Sequence, residues 1–223
     1  MNVLVVLAHP ERRSFNGALF DAAIETLTGQ GHSVQTSDLY RMTFEPKSGP
    51  WNFLDLQNSA YFKPQAEEMH ATETGSFAPE LETEIRKLET ADLVIFQFPL
   101  WWFGLPAIMK GWVDCVFAMG RAYGRGRIYE KGHFLGKRAL LSLTTGGFEA
   151  SYITGGEEGD ILGILRPIHR GIFRFTGFDV LAPSIFYGPA RVEESVRAGW
   201  LAEYAERVKS IDREKPIEVG SYA

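Results

Sequence analysis

One cysteine, Cys115, is all the thiol chemistry that 223 residues carry, so no intrachain disulfide can form and a disulfide-stapled scaffold is excluded. With no activating partner near it in sequence, Cys115 reads as a small buried helix residue rather than a nucleophile. Positive charge is also short: 23 Lys and Arg face 28 Asp and Glu, a net charge of -5. That balance argues against a non-specific nucleic-acid binder. No apolar run reaches the roughly 20 residues of a membrane span. The chain enters its first apolar run, Asn2 to Ala8, with no basic stretch before it, so a cytoplasmic protein without a membrane span is expected. The loop after that run lacks the G-x-G-x-x-G of a Rossmann turn and the G-K-[ST] of a P-loop. No metal site is expected.

What is present is a repeated alternation. Asn2 to Ala8 is continuous, apolar and β-branched, the pattern of a strand buried on both faces of a parallel sheet. Ser14 can cap the helix that follows, Phe15, Ala18, Leu19, Ala22, Ala23 and Leu27 recur at helical spacing, and Gly29 and Gly31 stop it. Further strands are expected over Ser33 to Leu39, Ala91 to Phe98, Arg138 to Thr145 and Phe178 to Tyr187. Helical patterns run from about Pro106 to Met119, Asp160 to Phe173 and Val192 to Val208. Five strands alternating with helices predict a doubly wound α/β domain over residues 1–213, with 214–223 a loose tail. The stretch from Arg41 to about Pro79 has no strand period. Its Trp51, Phe53, Leu54, Tyr61 and Phe62 are too apolar for a linker, which predicts an ordered insertion covering a sheet edge or a cofactor.

In such a sheet the ligand lies beyond the carboxyl ends of the strands, so three loops matter. In the first, from His9 to Asn16, Ser14, Asn16 and the free amides at the helix start can hold a phosphate, although taken alone Ser14 reads as a plain N-cap and His9 as a loop histidine bonded to backbone. In the second, from Phe98 to Pro106, Trp101, Trp102 and Phe103 form an aromatic cluster that costs free energy unless something flat and apolar covers it, such as an isoalloxazine. The third, Thr144-Thr145-Gly146-Gly147, lets backbone amides approach a ligand edge where negative charge develops.

These loops, in L-V-V-L-A-H-P-E-R-R-S-F-N, in L-V-I-F-Q-F-P-L-W-W-F-G-L-P-A-I-M-K-G-W and in L-T-T-G-G, resemble the NAD(P)H dehydrogenase (quinone) family of the DT-diaphorase type. The resemblance runs in register from about Val3 to Pro183, through Ser37-Asp38-Leu39-Tyr40 and Tyr129-Glu130-Lys131-Gly132. It implies a flavodoxin-like fold, tightly bound FAD, NAD(P)H as co-substrate, ping-pong hydride transfer through flavin N5 to a quinone, and a homodimer with two sites at its interface. Under it His9, Ser14, Phe15 and Asn16 hold the pyrophosphate and ribityl region, and Pro99, Leu100, Trp101, Trp102 and Phe103 flank the isoalloxazine. Thr144, Thr145, Gly146 and Gly147 take its polar edge, Tyr152 steadies the reduced ring, and Asp114 lies near the adenosine. Tyr123 and Phe175 match residues that reach the partner's substrate pocket, and the apolar Trp112, Phe117 and Phe103 are expected to need cover.

Three positions depart from the family. Trp101 stands where it has glutamine, Arg125 replaces its second pocket tyrosine, and Glu158 replaces the histidine paired with the catalytic tyrosine. These changes bear on acceptor size and charge and on the proton relay. Related folds leave other readings open: an FMN-dependent azo- or nitroreductase, an ancillary reductase of an efflux system, or a flavodoxin-like electron carrier or regulatory partner without turnover. The arginines at 166, 170 and 174 form one helical face, read as a solvated face or dimer rim in preference to a docking face for a partner.

Overall fold

The computed structural model describes residues 1–221. Its centre is a parallel sheet of β1 (Asn2–Leu7), β2 (Ser33–Asp38), β3 (Leu93–Pro99), β4 (Arg138–Thr145), β5 (Asp179–Val180) and β6 (Ser184–Tyr187), in the order 2-1-3-4-5 with β6 also on β4. The apolar runs explain the central positions. Along β1, Val3, Val5 and Leu7 enter one core while Leu4, Val6 and Ala8 enter the other. On β3, Leu93 and Ile95 oppose Val94, Phe96 and Phe98 in the same way. Both faces are covered, so neither needs a polar alternate residue. Each fully buried Val, Leu or Phe here contributes about 1.5–3 kcal/mol over its exposed state.

One face carries α1 (Phe15–Gly29) and α6 (Glu194–Val208). The other carries α3 (Pro79–Thr90), α4 (Ala107–Val116) and α5 (Ile161–Ile168), and residues of both faces pack against the sheet. No helix among the described residues is long and apolar enough to cross a membrane.

The expected last strand, Phe178 to Tyr187, is two short ones: β5 pairs with Arg138 and Ala139, β6 with Ser142 to Thr145. Pro183 lies in the break, where it has no N–H to give a ladder. The helix expected to reach Phe173 changes form at His169 and runs on as a π-helix to Arg174. Two helices escaped the sequence reading. The insertion contains α2 (Pro64–Thr74), and α3 follows it. Glu80, Thr83 and Arg86 expose one side of α3, and Leu81, Ile85 and Leu88 bury the other, a period hidden by the dominance of charge. The insertion is ordered. It seats on α4 at Gly111, where an added Cβ would come within 2.1 Å of the Pro46 carbonyl oxygen.

Of the segment 214–223, expected to be a loose tail, residues 214–221 make contacts with the domain, and 222 and 223 lie outside the described residues. The Glu214 carboxylate pairs with Arg207 at 2.6 Å, and the Ile217 N–H donates to the Val180 oxygen at 2.8 Å. Arg170 donates to the Gly220 carbonyl and Arg166 to the Ser221 carbonyl, so two members of the arginine face contact this segment, while Arg174 pairs with Glu130. Trp112 and Phe117 also correct an expectation: both are buried within the chain, Trp112 Nε1 donating to Glu84, and only Phe103 of the three is left exposed. Cys115 is buried as expected, its thiol pushed up to about 12 by desolvation.

Candidate active site

The carboxyl ends of β1, β3, β4 and β6 open onto two clefts that share Leu100 and Gly146. The first, of about 600 Å³, is lined by His9, Arg13, Ser14, Phe15, Asn16, Pro99, Trp101, Thr144, Thr145 and the 188–190 loop, with Arg197 beside it. The α1 amino terminus faces this space. Ser14 has extended backbone and its Oγ accepts the Gly17 N–H at 3.2 Å, an N-cap that leaves neighbouring amides and the helix dipole for an anion. No acidic residue sits in the first turn. His9 turns its Nδ1 to the Glu11 backbone, at 2.9 Å from its oxygen and 3.1 Å from its nitrogen, and its ring lies 6.3 Å from that of Trp101. Phe15 lines the cleft while packing edge-on against Phe186. Asn16 is 4% exposed and spends its amide on Gln97 and Thr144.

The second cleft, of about 440 Å³, holds Trp102, Phe103, Gly147, Phe148, Ser151, Tyr152, Glu157, Glu158 and Arg191. Trp101 and Gly104 bridge a tight turn whose central residues, Trp102 and Phe103, have φ of 51° and 57°. Side chains seldom adopt the left-handed region, and both hold it at a cost in backbone strain. The turn presents Trp102 at 97% exposure and Phe103 at 49%. Across from it, an added Cβ on Gly146 would meet nothing within 4 Å, so that backbone borders open space. At Gly147 the same atom would come 3.2 Å from the Tyr152 ring. Tyr152 is buried, and burial followed by the nearby Glu158 carboxylate raises its phenol above the usual range. Thr145 Oγ1 donates to the Gly147 carbonyl at 2.8 Å, stiffening the turn.

The other expected residues lie elsewhere in the chain. Asp114 lines neither cleft and pairs with Lys110 along α4 at 2.5 Å. Tyr123 and Phe175 meet each other at 5.9 Å between ring centres, also outside both clefts, and Tyr123 Oη accepts from Gln65 Nε2 at 3.1 Å. Arg125 pairs with Glu73 at 2.6 Å in a third hollow, beside Arg127 and His133.

Sequence reasoning missed a fourth loop. Gly188, Pro189, Ala190 and Arg191 follow β6, and Arg197 clasps that loop by donating to the carbonyls of Pro189 and Val192. The rule that ligands lie beyond the carboxyl ends of strands pointed there too, but the expected last strand had no recognised loop motif after it. Also missed was Glu68, buried on α2, which accepts the Met119 N–H at 2.6 Å and is pushed up to about 7 by desolvation.

A flavin fits what is present. A helix amino terminus with Arg13 and Arg197 suits a phosphate group, and a flat apolar ring suits the strained, exposed aromatics opposite two glycines. Comparisons point the same way. Residues 1–209 match the family model described as flavodoxin-like fold. The chain is 43% identical over 216 residues to the ribosyldihydronicotinamide dehydrogenase [quinone] of Pongo abelii, covering 96% of this chain and 94% of that one. It is 43% identical over 215 residues to NAD(P)H dehydrogenase [quinone] 1 of Cavia porcellus, covering 96% and 78%. A solved structure from Klebsiella pneumoniae, provisionally named a quinone reductase, superposes with a TM-score of 0.93 at 41% identity, covering 97% of this chain and 87% of that one.

Proposed function

Since the chain belongs to the flavodoxin-like fold family, we propose that it is an FAD-dependent NAD(P)H:quinone oxidoreductase working as a homodimer. The observation that carries this reading is the pair of joined clefts, one suited to a pyrophosphate and one lined by a flat aromatic turn against paired glycines. Names of relatives at 43% identity over nearly the whole chain support the nicotinamide donor and the quinone acceptor.

FAD supplies the two-electron hydride chemistry when bound. The residues supply placement and charge. Ser14, the α1 amides, Arg13 and Arg197 would hold the phosphates. Pro99, Leu100, Trp102 and Phe103 exclude water from the ring. The Gly146 and Gly147 amides and the Tyr152 hydroxyl, which line this cleft, would take the ring edge where negative charge grows, and Tyr152, its phenol raised by burial, would serve as a donor there. Glu158 opposes that charge when ionised, while Arg191 in the same cleft offsets it. Donor and acceptor then use one site in turn, the ping-pong order. The exposed Trp102 and Phe103 support a second copy as cover, which would bring Tyr123, Phe175 and Arg125 of one protomer over the partner's site.

Native purification, heat release and mass identification test the cofactor: stoichiometric FAD is expected, and FMN alone at full occupancy overturns the assignment. Anaerobic NADPH should bleach the flavin within a turnover time, as an electron carrier would not. A monomer at micromolar concentration that keeps flavin and activity overturns the dimer.

A further inference from the structure

Three buried side chains from three separate elements meet under the first cleft. Gln97 of β3 donates through Nε2 to Asn16 Oδ1 at 2.9 Å, and Asn16 Nδ2 donates to Thr144 Oγ1 at 2.9 Å. Their exposures are 0%, 4% and 5%. Asn16 and Thr144 line the cleft and Gln97 does not.

Each link has a direction. A carboxamide donates only from its nitrogen and accepts only at its oxygen, so a donor at Gln97 turns the Asn16 nitrogen toward Thr144. The Thr144 hydroxyl accepts there and keeps its one proton for something else. No protein acceptor takes that proton among the described residues. The adjacent Thr145 differs, because its proton is already given to the Gly147 carbonyl. Gln97 is also out of character with its strand. It is the one amide in the buried run Leu93–Pro99, and its Oε1 has no partner among the described residues. An unsatisfied buried acceptor is a stability cost that leucine would avoid, so the fold carries Gln97 for what its nitrogen does.

We propose that Gln97 is a positioning residue that, through Asn16, sets Thr144 as a hydrogen-bond donor toward an acceptor atom of the flavin in the cleft. This rests on the flavoprotein reading above.

The test is the dissociation constant of FAD from the full-length chain, followed by flavin fluorescence on release, with melting temperature measured beside it. Thr144→Val should weaken FAD at least tenfold and Thr144→Ser should leave it within twofold. Gln97→Met should weaken it about fivefold in the native background and not at all in Thr144→Val. Gln97→Glu gives a readout that packing would not move. Its neutral acid donates as the amide does, whereas its carboxylate accepts from Asn16, inverts the chain and draws the Thr144 proton inward. FAD affinity of that variant should therefore fall as pH rises, with a slope absent from the native protein. Equal losses for Gln97→Met in both backgrounds, or a pH profile of Gln97→Glu parallel to native, overturn the inference. Native chain that takes up no flavin at all overturns the functional reading and this inference with it.

Discussion

The two clefts share a wall but are built on different physical terms. The first is made of regular elements: a capped helix start, three strand ends and a loop clasped by Arg197, with the Gln97–Asn16–Thr144 hydrogen bonds beneath it. The second is made of exposed surface under strain, with two aromatics at positive φ, a pair of glycines and two carboxylates. The first is therefore preorganised to hold, and the second is incomplete until a ring covers it. Binding strength should reside mainly in the first cleft and rate in the second.

The largest expected effect tests that division. Arg197→Met removes a cation and the clasp of the 188–192 loop, and should weaken FAD roughly 30-fold, about 2 kcal/mol, since hydrogen bonds to charged groups are worth about 1.5–3 kcal/mol. Arg197→Lys should recover part of it. Isothermal titration reads both, and an unchanged affinity in the methionine variant would break the comparison. Next is Tyr152→Phe, which should bind FAD as tightly as the native chain yet slow flavin reduction about tenfold, near 1.4 kcal/mol of barrier. Stopped-flow reduction by NADPH measures this, and a loss of binding instead of rate would place Tyr152 with the first cleft. The smallest expected effect is at Glu158→Gln. Removing the carboxylate that raises the Tyr152 phenol should lower that phenol's pKa and leave the reduction rate unchanged or up to twofold faster. A large loss there, with Tyr152→Phe unaffected, would show the proton path running through the glutamate.

A like contrast separates two buried carboxylates. Glu84 on α3 receives Ser37 Oγ, Trp112 Nε1 and Lys87 Nζ, at 2.6, 2.9 and 2.6 Å, whereas the buried Glu68 receives one backbone N–H. A carboxylate raised from 4.5 to about 7 favours the protonated fold. Its stabilising contribution is whole below the unfolded value and declines as pH rises from about 4.5 to about 7. Glu68→Gln should flatten that decline in urea titrations across the window, by at most about 3 kcal/mol.

Much of this was legible beforehand because strands buried on both faces leave long, mainly apolar runs, unbroken from Val3 to Leu7 in β1 and interrupted only by Gln97 in β3 and by Ser142 before the threonines that end β4. Loop residues whose chemistry is local were legible too: Ser14 caps from its own position, and Gly146-Gly147 opens a turn wherever it stands. The long helix α3 was not, because half its face is charged and its apolar period has only Leu81, Ile85 and Leu88 to mark it. Nor was the split of the last strand, which depends on where β4 offers partners.

By itself the amino-acid order determined the alternation of strands and helices, and with it the end of the sheet where a ligand must lie, since hydrophobic period and cap residues act over a few neighbours. Only the tertiary structure decided which of the marked residues share a cleft. It set Asn16 on Gln97, 81 residues away, paired Asp114 with Lys110 along α4, and brought Arg191 from a loop without a motif and Arg197 from α6 to the two clefts. Contacts of that kind depend on sheet order and on how each layer packs, and no local pattern encodes them.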